Sequence, residues 1–84
     1  MNVAGRMRLR RKILRHRPPI VAMVGVTVFR AMFPGRKDAV TLGPQRERIG
    51  DTEVFVLPNP SGRNANFSYA EMLTAFRKLK RRLP

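Results

Sequence analysis

The chain has 84 residues, with 18 lysine and arginine residues against five aspartate and glutamate residues, a net charge of +13 and no cysteine. This length allows one small domain, which buries only about 60 to 65% of the surface that its unfolded chain exposes. Without cysteine, disulfide-stapled secreted scaffolds and thiolate metal sites are excluded, and a reducing, cytoplasmic setting is favoured. Fourteen of the cations are arginine, which pairs well with phosphate oxygens, so the composition favours a polyanionic partner.

The charge is concentrated near the two ends of the chain. Residues 1–18 contain seven cations and no acid, and residues 77–84 contain five more cations. The most apolar run, residues 20–33, is interrupted by Arg30 and is shorter than the roughly 20 residues that span a bilayer. An arginine-rich start also occurs in transit peptides, but the serine that such leaders favour is missing here. We therefore expect neither a membrane helix nor a transit peptide.

The first part of the chain has the pattern helix, strand, helix. Apolar residues at helical spacing among the cations predict a basic leader helix within residues 1–18, ended by a proline pair. Residues 20–25 are apolar without polar alternation, which is typical of a strand covered on both faces. A second helix follows and ends at a Pro-Gly pair. Its main apolar stripe consists of Val26, Phe29 and Phe33.

The second part predicts a loop, a strand, a turn and a helix. Residues 34–52 are polar and contain glycine, so we expect a loop with short extended pieces. Residues 53–57 repeat the apolar strand pattern, and residues 58–67 form a turn. The helix predicted over residues 68–83 begins with a capping box, in which Ser68 and Glu71 each accept a hydrogen bond from the other's backbone N–H. Its apolar face consists of Met72, Leu73, Phe76, Leu79 and Leu83.

This order contains a β-α-β crossover and predicts an α/β fold, with a parallel sheet between helices in three α/β/α layers. Two strands alone cannot form such a sheet. The pattern therefore indicates part of a larger doubly wound domain.

The turn at residues 58–67 carries the richest chemistry of the chain. Ligands of open α/β sheets bind beyond the carboxyl ends of the strands, where this turn is expected to lie. Its prolines stiffen the backbone, Gly62 permits close approach, and the hydroxyl, guanidinium and amide groups suit phosphates and base edges. Those polar groups belong to Ser61, Arg63, Asn64 and Asn66. A stiff structural turn without a ligand explains the same residue types equally well.

The segment VFVLPNPSGRNANFSYAEMLTAFRKLKR, residues 54–81, resembles the closing segment of the mismatch-specific uracil/thymine DNA glycosylases of the uracil-DNA glycosylase superfamily. In that family the last strand ends in Leu-Pro-Asn-Pro-Ser-Gly and a helix follows. The resemblance extends backward through LRRKILRHRPPIVAMVGVTVFRAMF and through LGPQRERIGDTEVFVLPNPSG, which keeps the Leu-Gly-x-Gln and Ile-Gly-x-Thr spacing. Nearly the whole chain is covered, and the three-layer fold of the family agrees with the predicted elements.

The resemblance implies a role in base excision repair on double-stranded DNA with a U·G or T·G mismatch. Such enzymes flip the base out of the duplex and hydrolyse its N-glycosidic bond. Carried over by position, Asn59 lies near the flipped base or the orphaned guanine, Ser61 and Gly62 hold a phosphate, and Arg63 fills the vacated space. The implied DNA-binding residues are Asn59, Pro60, Ser61, Gly62, Arg63, Asn64 and Asn66. A monomer associated with the nucleoid is expected.

One motif of the family is absent. A Gly-x-Asn-Pro segment, whose asparagine positions the attacking water, occurs nowhere in these 84 residues. We therefore assign no catalytic residue and expect the chain, residues 1–84, to be a C-terminal portion of a glycosylase domain that is inactive alone, whether as a truncated product, a miscalled start or a fragment. Two alternatives remain: a complete small basic DNA- or RNA-binding protein, and a relic without selected activity.

Neither a metal nor a cofactor is expected. His16 is the single histidine, and it lies between two arginines where a solvent-exposed role is typical. The five acids show no paired-carboxylate spacing, and Glu71 is already explained by the helix cap.

Overall fold

In the computed structural model, residues 2–59 and 68–83 are described. The helices and strands follow one another as α1 (Val3–His16), β1 (Ile20–Val24), α2 (Val26–Met32), β2 (Gly43–Ile49), β3 (Thr52–Leu57) and α3 (Tyr69–Arg82). The predicted order of helices and of the two apolar strands is confirmed, and β2 is an additional strand.

The three strands form one mixed sheet in the order β1-β3-β2. β1 and β3 are parallel, with Ile20 opposite Glu53 and Val24 opposite Leu57, as the β-α-β pattern predicted. β2 is antiparallel to β3 and is joined to it by a tight turn at Gly50. At the start of β3 the buried Thr52 hydroxyl donates to the carbonyl of Pro18 at 2.7 Å, which fastens the connection between α1 and β1 to the sheet.

The expectation of a loop over residues 34–52 is wrong for residues 43–49, which form β2. Its pattern is hard to detect because Pro44 removes a backbone donor and four polar or charged residues follow it. The pairing with β3 also shifts register between Pro44 and Arg48, so the side chains do not alternate regularly between the two faces. In the described sheet β2 is an edge strand, where proline and charges are tolerated.

Helices cover both faces of the sheet, which confirms the three α/β/α layers. Side chains alternate along β3, so Val54 and Val56 face one layer while Phe55 and Leu57 face the other. The first layer contains α1 and α2, which contribute Ile13, Phe29 and Met32 to the core. The second layer is α3, which contributes Ala75 and Leu79.

Both long helices begin with a side-chain cap. In α1 the Asn2 side chain accepts from the backbone N–H of Gly5 at 2.7 Å, and Arg17 ends the helix in the left-handed conformation at φ 51°. In α3 the predicted capping box is confirmed, with Ser68 Oγ accepting from the N–H of Glu71 at 3.1 Å and the Glu71 carboxylate accepting from the N–H of Ser68 at 3.2 Å.

The predicted apolar face of α3 is only partly buried. Ala75 is the buried residue of this helix, and Met72 and Leu79 are half-buried. Leu73, Phe76 and Leu83 are exposed. The helix therefore approaches the sheet at an alanine, whose small side chain lets the backbone of α3 lie close to Phe55 and Leu57.

Candidate nucleic-acid interface

The carboxyl ends of β1 and β3 lie side by side and form the edge from which the predicted DNA-binding turn begins. Val24 pairs with Leu57, and the N–H of Gly25 donates to the carbonyl of Leu57 at 2.8 Å. The chain then continues through Pro58, which is buried, to Asn59, which is exposed. The buried proline fixes the direction in which the chain leaves the strand.

Gly25 brings the end of β1 against the end of β3. Its backbone has φ 102° and ψ 141°, a conformation that residues with a side chain rarely adopt. A Cβ atom at this position would lie 3.8 Å from the Cβ of Asn59, so the two residues are neighbours across the edge. The sequence identified Gly25 only as the end of a strand, because its contact with Asn59 depends on the register between two strands far apart in the chain.

The first turn of α3 lies at this same edge of the sheet. α3 runs back along β3, because Arg82 in its last turn contacts Glu53 at the start of β3. Its first turn lies at the other end, where Ala70 and Glu71 line an open groove of about 310 Å³ together with Thr41 and Leu42. Thr41 and Leu42 directly precede Gly43, which pairs with Val56 near the end of β3.

Most of the predicted DNA-binding residues lie outside the described part of the chain. Asn59 is described, and it is exposed at the carboxyl edge. The others, Pro60, Ser61, Gly62, Arg63, Asn64 and Asn66, belong to residues 60–67, which are not described. Their assignment to DNA stays a prediction.

A family profile, that of the Uracil DNA glycosylase superfamily, matches residues 2–81. The chain belongs to this superfamily. Membership makes DNA the substrate class and indicates a glycosylase-type role in DNA repair, and the three-layer α/β fold agrees with it. The resemblance of the closing segment is thereby confirmed for the superfamily. Membership of the mismatch-specific branch stays a prediction.

Each acidic side chain of this superfamily member is engaged in a structural contact. The pairs are Asp38 with Arg36 and Arg46, Glu47 with Arg36, Asp51 with Arg17, Glu53 with Arg82, and Glu71 in the cap of α3. Nη2 and Nη1 of Arg46 donate to the Asp38 carboxylate at 2.8 and 3.0 Å, which holds the pKa of that carboxyl well below its usual range. Within residues 2–59 and 68–83, every acid is therefore already in a salt bridge or a helix cap, and the cations outside these contacts have no acidic partner.

Arg36 has a buried side chain at the centre of a cluster that the sequence did not reveal. Its side chain is 7% exposed and lies between Asp38 and Glu47, with Nε 2.8 Å from Asp38 Oδ1 and Nη1 2.9 Å from Glu47 Oε1. Nη2 donates to the carbonyl of Ala39 at 2.8 Å, and the guanidinium lies 5.6 Å from the ring centroid of Phe29. The cluster joins α2, the connection after it and β2, so this arginine stabilises the fold and exposes little of its side chain to solvent.

Within residues 2–59 and 68–83, no group of three histidine, cysteine, aspartate or glutamate side chains lies close enough together to hold a metal ion. His16 is exposed. None of the helices in this part of the chain is long and apolar enough to cross a membrane.

Proposed function

We propose that this protein binds duplex DNA at U·G or T·G mismatches and that residues 58–67 enter the duplex there, as in the mismatch-specific branch of its superfamily. The observation that carries the proposal is the position of the Asn-Pro-Ser-Gly sequence. It follows directly after the carboxyl end of β3, at the edge where open α/β sheets bind their ligands.

The proposed roles follow from the chemistry of the side chains. Asn59 offers an amide to the base edge of the flipped base or of the orphaned guanine. Ser61 and the backbone of Gly62 hold a phosphate, and Arg63 occupies the space that the base vacates. Extruding a base costs a few kcal/mol, and a planar guanidinium that stacks and also pairs with phosphates is suited to offset that cost. Pro60, Asn64 and Asn66 complete the contact surface.

Base removal requires more than this chain supplies. The Gly-x-Asn-Pro motif is absent from the 84 residues, and the five acids are engaged in salt bridges or a helix cap. We therefore assign to this chain the DNA-insertion part of a glycosylase domain, acting as a monomer on chromosomal DNA. Incubated alone with a U·G duplex, it should release no uracil.

A titration of two duplexes tests the proposal. Fluorescence anisotropy is measured with a U·G duplex and with the matched duplex of the same sequence, for the wild type and for Arg63→Ala. The wild type should prefer the mismatch, and Arg63→Ala should weaken mismatch binding by about tenfold, or about 1.4 kcal/mol, with a smaller loss on matched DNA.

Arg81→Ala is the matched control, because Arg81 is an exposed arginine in the last turn of α3 and its removal changes the net charge equally. It should lower both affinities by the same small factor. Equal losses on the two duplexes with Arg63→Ala would contradict the proposal.

The second candidate function is a small basic DNA- or RNA-binding protein without catalysis. The excess of cations over acids favours it, since charge alone is sufficient for such binding. This candidate predicts equal affinity for matched and mismatched duplexes at every salt concentration, so the same titration separates the two functions.

A further inference from the structure

The cations of α1 fall into two groups with different surroundings. Arg6 and Arg10 face the domain, where their guanidinium groups donate to the carbonyls of Ala31 and Met32, each at 3.4 Å. These carbonyls belong to the last turn of α2. The last carbonyls of a helix have no backbone N–H within the helix to accept from. The first group therefore has a structural role, because it caps the negative end of α2.

The second group lies on one exposed face of α1. It consists of Arg8, Arg11, Lys12 and Arg15, at relative positions 0, 3, 4 and 7, which share one side of a helix. We call these four residues the α1 basic stripe. All four are exposed, and no acid in residues 2–59 and 68–83 forms an ion pair with any of them.

The stripe points away from the core. Ile13 is the buried residue of α1, and Leu9 packs beside it, so the core-facing side of the helix lies opposite the four cations. The C-terminal half of α1 lies on the turn between β2 and β3, where a Cβ atom at position 50 would be 2.9 Å from Cδ2 of Leu14. This turn is at the start of β3, at the opposite end from Asn59.

The stripe is unfavourable for the helix that carries it. Like charges three and four residues apart repel each other, and α1 contains no acid to screen them. Its first turn also has no acid to interact with the positive end of the helix dipole. Anions bound along the stripe would reduce the repulsion between its four cations.

We propose that the α1 basic stripe binds the phosphate backbone of duplex DNA. The stripe rises roughly 10 Å along the helix axis, which corresponds to about three phosphates of one strand. DNA is the polyanion that superfamily membership supplies, and the contact requires neither a mismatch nor residues 60–67. It is therefore a second nucleic-acid surface, remote from the carboxyl edge of the sheet, and it goes beyond the proposed function.

The test measures the salt dependence of binding to a fully matched duplex. Affinity is titrated between about 50 and 200 mM NaCl, because the slope of log affinity against log salt counts the phosphates that are neutralised, at about 0.9 for each. The stripe variant carries Arg8→Gln, Arg11→Gln, Lys12→Gln and Arg15→Gln. Glutamine is a good helix former, and circular dichroism checks that α1 is retained.

The control variant carries Lys37→Gln, Arg77→Gln, Lys80→Gln and Arg81→Gln, which removes the same number of charges from exposed positions without an ion pair in the described residues. The stripe variant should lower the magnitude of the slope by about 3, and the control by less than about 1. Equal decreases in the two variants, or no decrease in the stripe variant, would overturn the proposal.

Two further measurements keep the outcome clear. If the stripe variant does not fold, the single changes Arg11→Gln and Arg15→Gln are compared with Arg77→Gln, and only the first two should each lower the slope by about 0.9. Vesicles with anionic phospholipid are titrated in parallel, and stripe-dependent binding to vesicles but not to DNA would overturn the proposal. Arg63→Ala should leave the contribution of the stripe to the slope intact, so failure of the mismatch proposal is distinguishable.

Discussion

Arg36 is a buried arginine in a protein whose other cations mostly face solvent. Its two carboxylate partners lie two and eleven residues further along the chain. Of these, Glu47 is itself largely buried, with 18% of its side chain exposed, and depends on the arginine for compensation of its charge. The contacts of Arg36 thus hold the connection after α2 against β2.

Replacing Arg36 by methionine should therefore be costly. The change keeps much of the side-chain volume but leaves the Glu47 carboxylate without its cation, and we expect the free energy of unfolding to fall by about 3 kcal/mol in urea denaturation. The double variant Arg36→Met/Glu47→Leu replaces the pair by apolar groups and should recover most of that loss. A double variant as unstable as the single one would show that the ion pair is not the source of the effect.

Asp38 gives stability a pH dependence at the acid end. Because Arg46 lowers its pKa in the folded state, its contribution is present above the unfolded pKa, near 4, and is lost as the pH falls toward the folded value. Asp38→Asn should lower the melting temperature near neutral pH, and its difference from the wild type should shrink below about pH 4.

Thermal melts across this pH range provide the measurement. Asp51→Asn is the control, since Asp51 makes one longer contact of 3.4 Å with the exposed Arg17. If the difference in melting temperature between the wild type and Asp38→Asn grew as the pH fell, the pKa of Asp38 would not be lowered in the folded state.

At the scale of elements, α3 shows how an apolar pattern and actual packing can differ. The helix approaches the sheet at Ala75, which is 2% exposed, whereas its neighbour Phe76 is 47% exposed. Ala75→Leu should lower the free energy of unfolding by about 1 to 3 kcal/mol, because it forces added volume between α3 and β3. Phe76→Gln should change it by no more than about 0.5 kcal/mol. Urea denaturation measures the loss of unfolding free energy in both variants. A larger loss with Phe76→Gln than with Ala75→Leu would show that α3 packs through its large residues.

Most elements of the fold were predictable from the sequence, and the exceptions have physical reasons. β1, β3 and the capped start of α3 follow from apolar runs and from the Ser68 and Glu71 pair, which are local signals. β2 was missed because its own residues show no strand pattern, and it forms a strand through its pairing with β3.

The sequence also predicted where the candidate site begins, whereas the roles of residues 60–67 stay predictions. The Asn-Pro-Ser-Gly sequence and its place after a strand were evident, and the superfamily match agrees with them. The proximity of Gly25 to Asn59 and the burial of Arg36 were not, because each depends on contacts between segments that only the folded chain brings together.

At the scale of the whole molecule, repulsion between cations dominates the electrostatics. The net charge is +13, and the acids of the chain are already in salt bridges or in a helix cap. Added NaCl shortens the Debye length from about 10 Å at 0.1 M to about 3 Å at 1 M, which weakens repulsion between exposed cations. The melting temperature of the wild type should therefore rise with NaCl. A fall would show that the ion pairs outweigh the repulsion.

The salt effect also has an internal control. The stripe variant with glutamine at Arg8, Arg11, Lys12 and Arg15 has less repulsion to screen, so its melting temperature should rise less steeply with NaCl than that of the wild type.

We propose above all that the segment after β3 enters the DNA duplex at a mismatch. The most direct measurement places the fluorescent base 2-aminopurine beside the uracil of a U·G duplex, because its emission rises when its neighbour leaves the stack. Our account predicts a rise on binding of the wild type, a much smaller rise with Arg63→Ala, and none on the matched duplex. Saturating binding of the wild type to the U·G duplex without any change in emission would contradict the account.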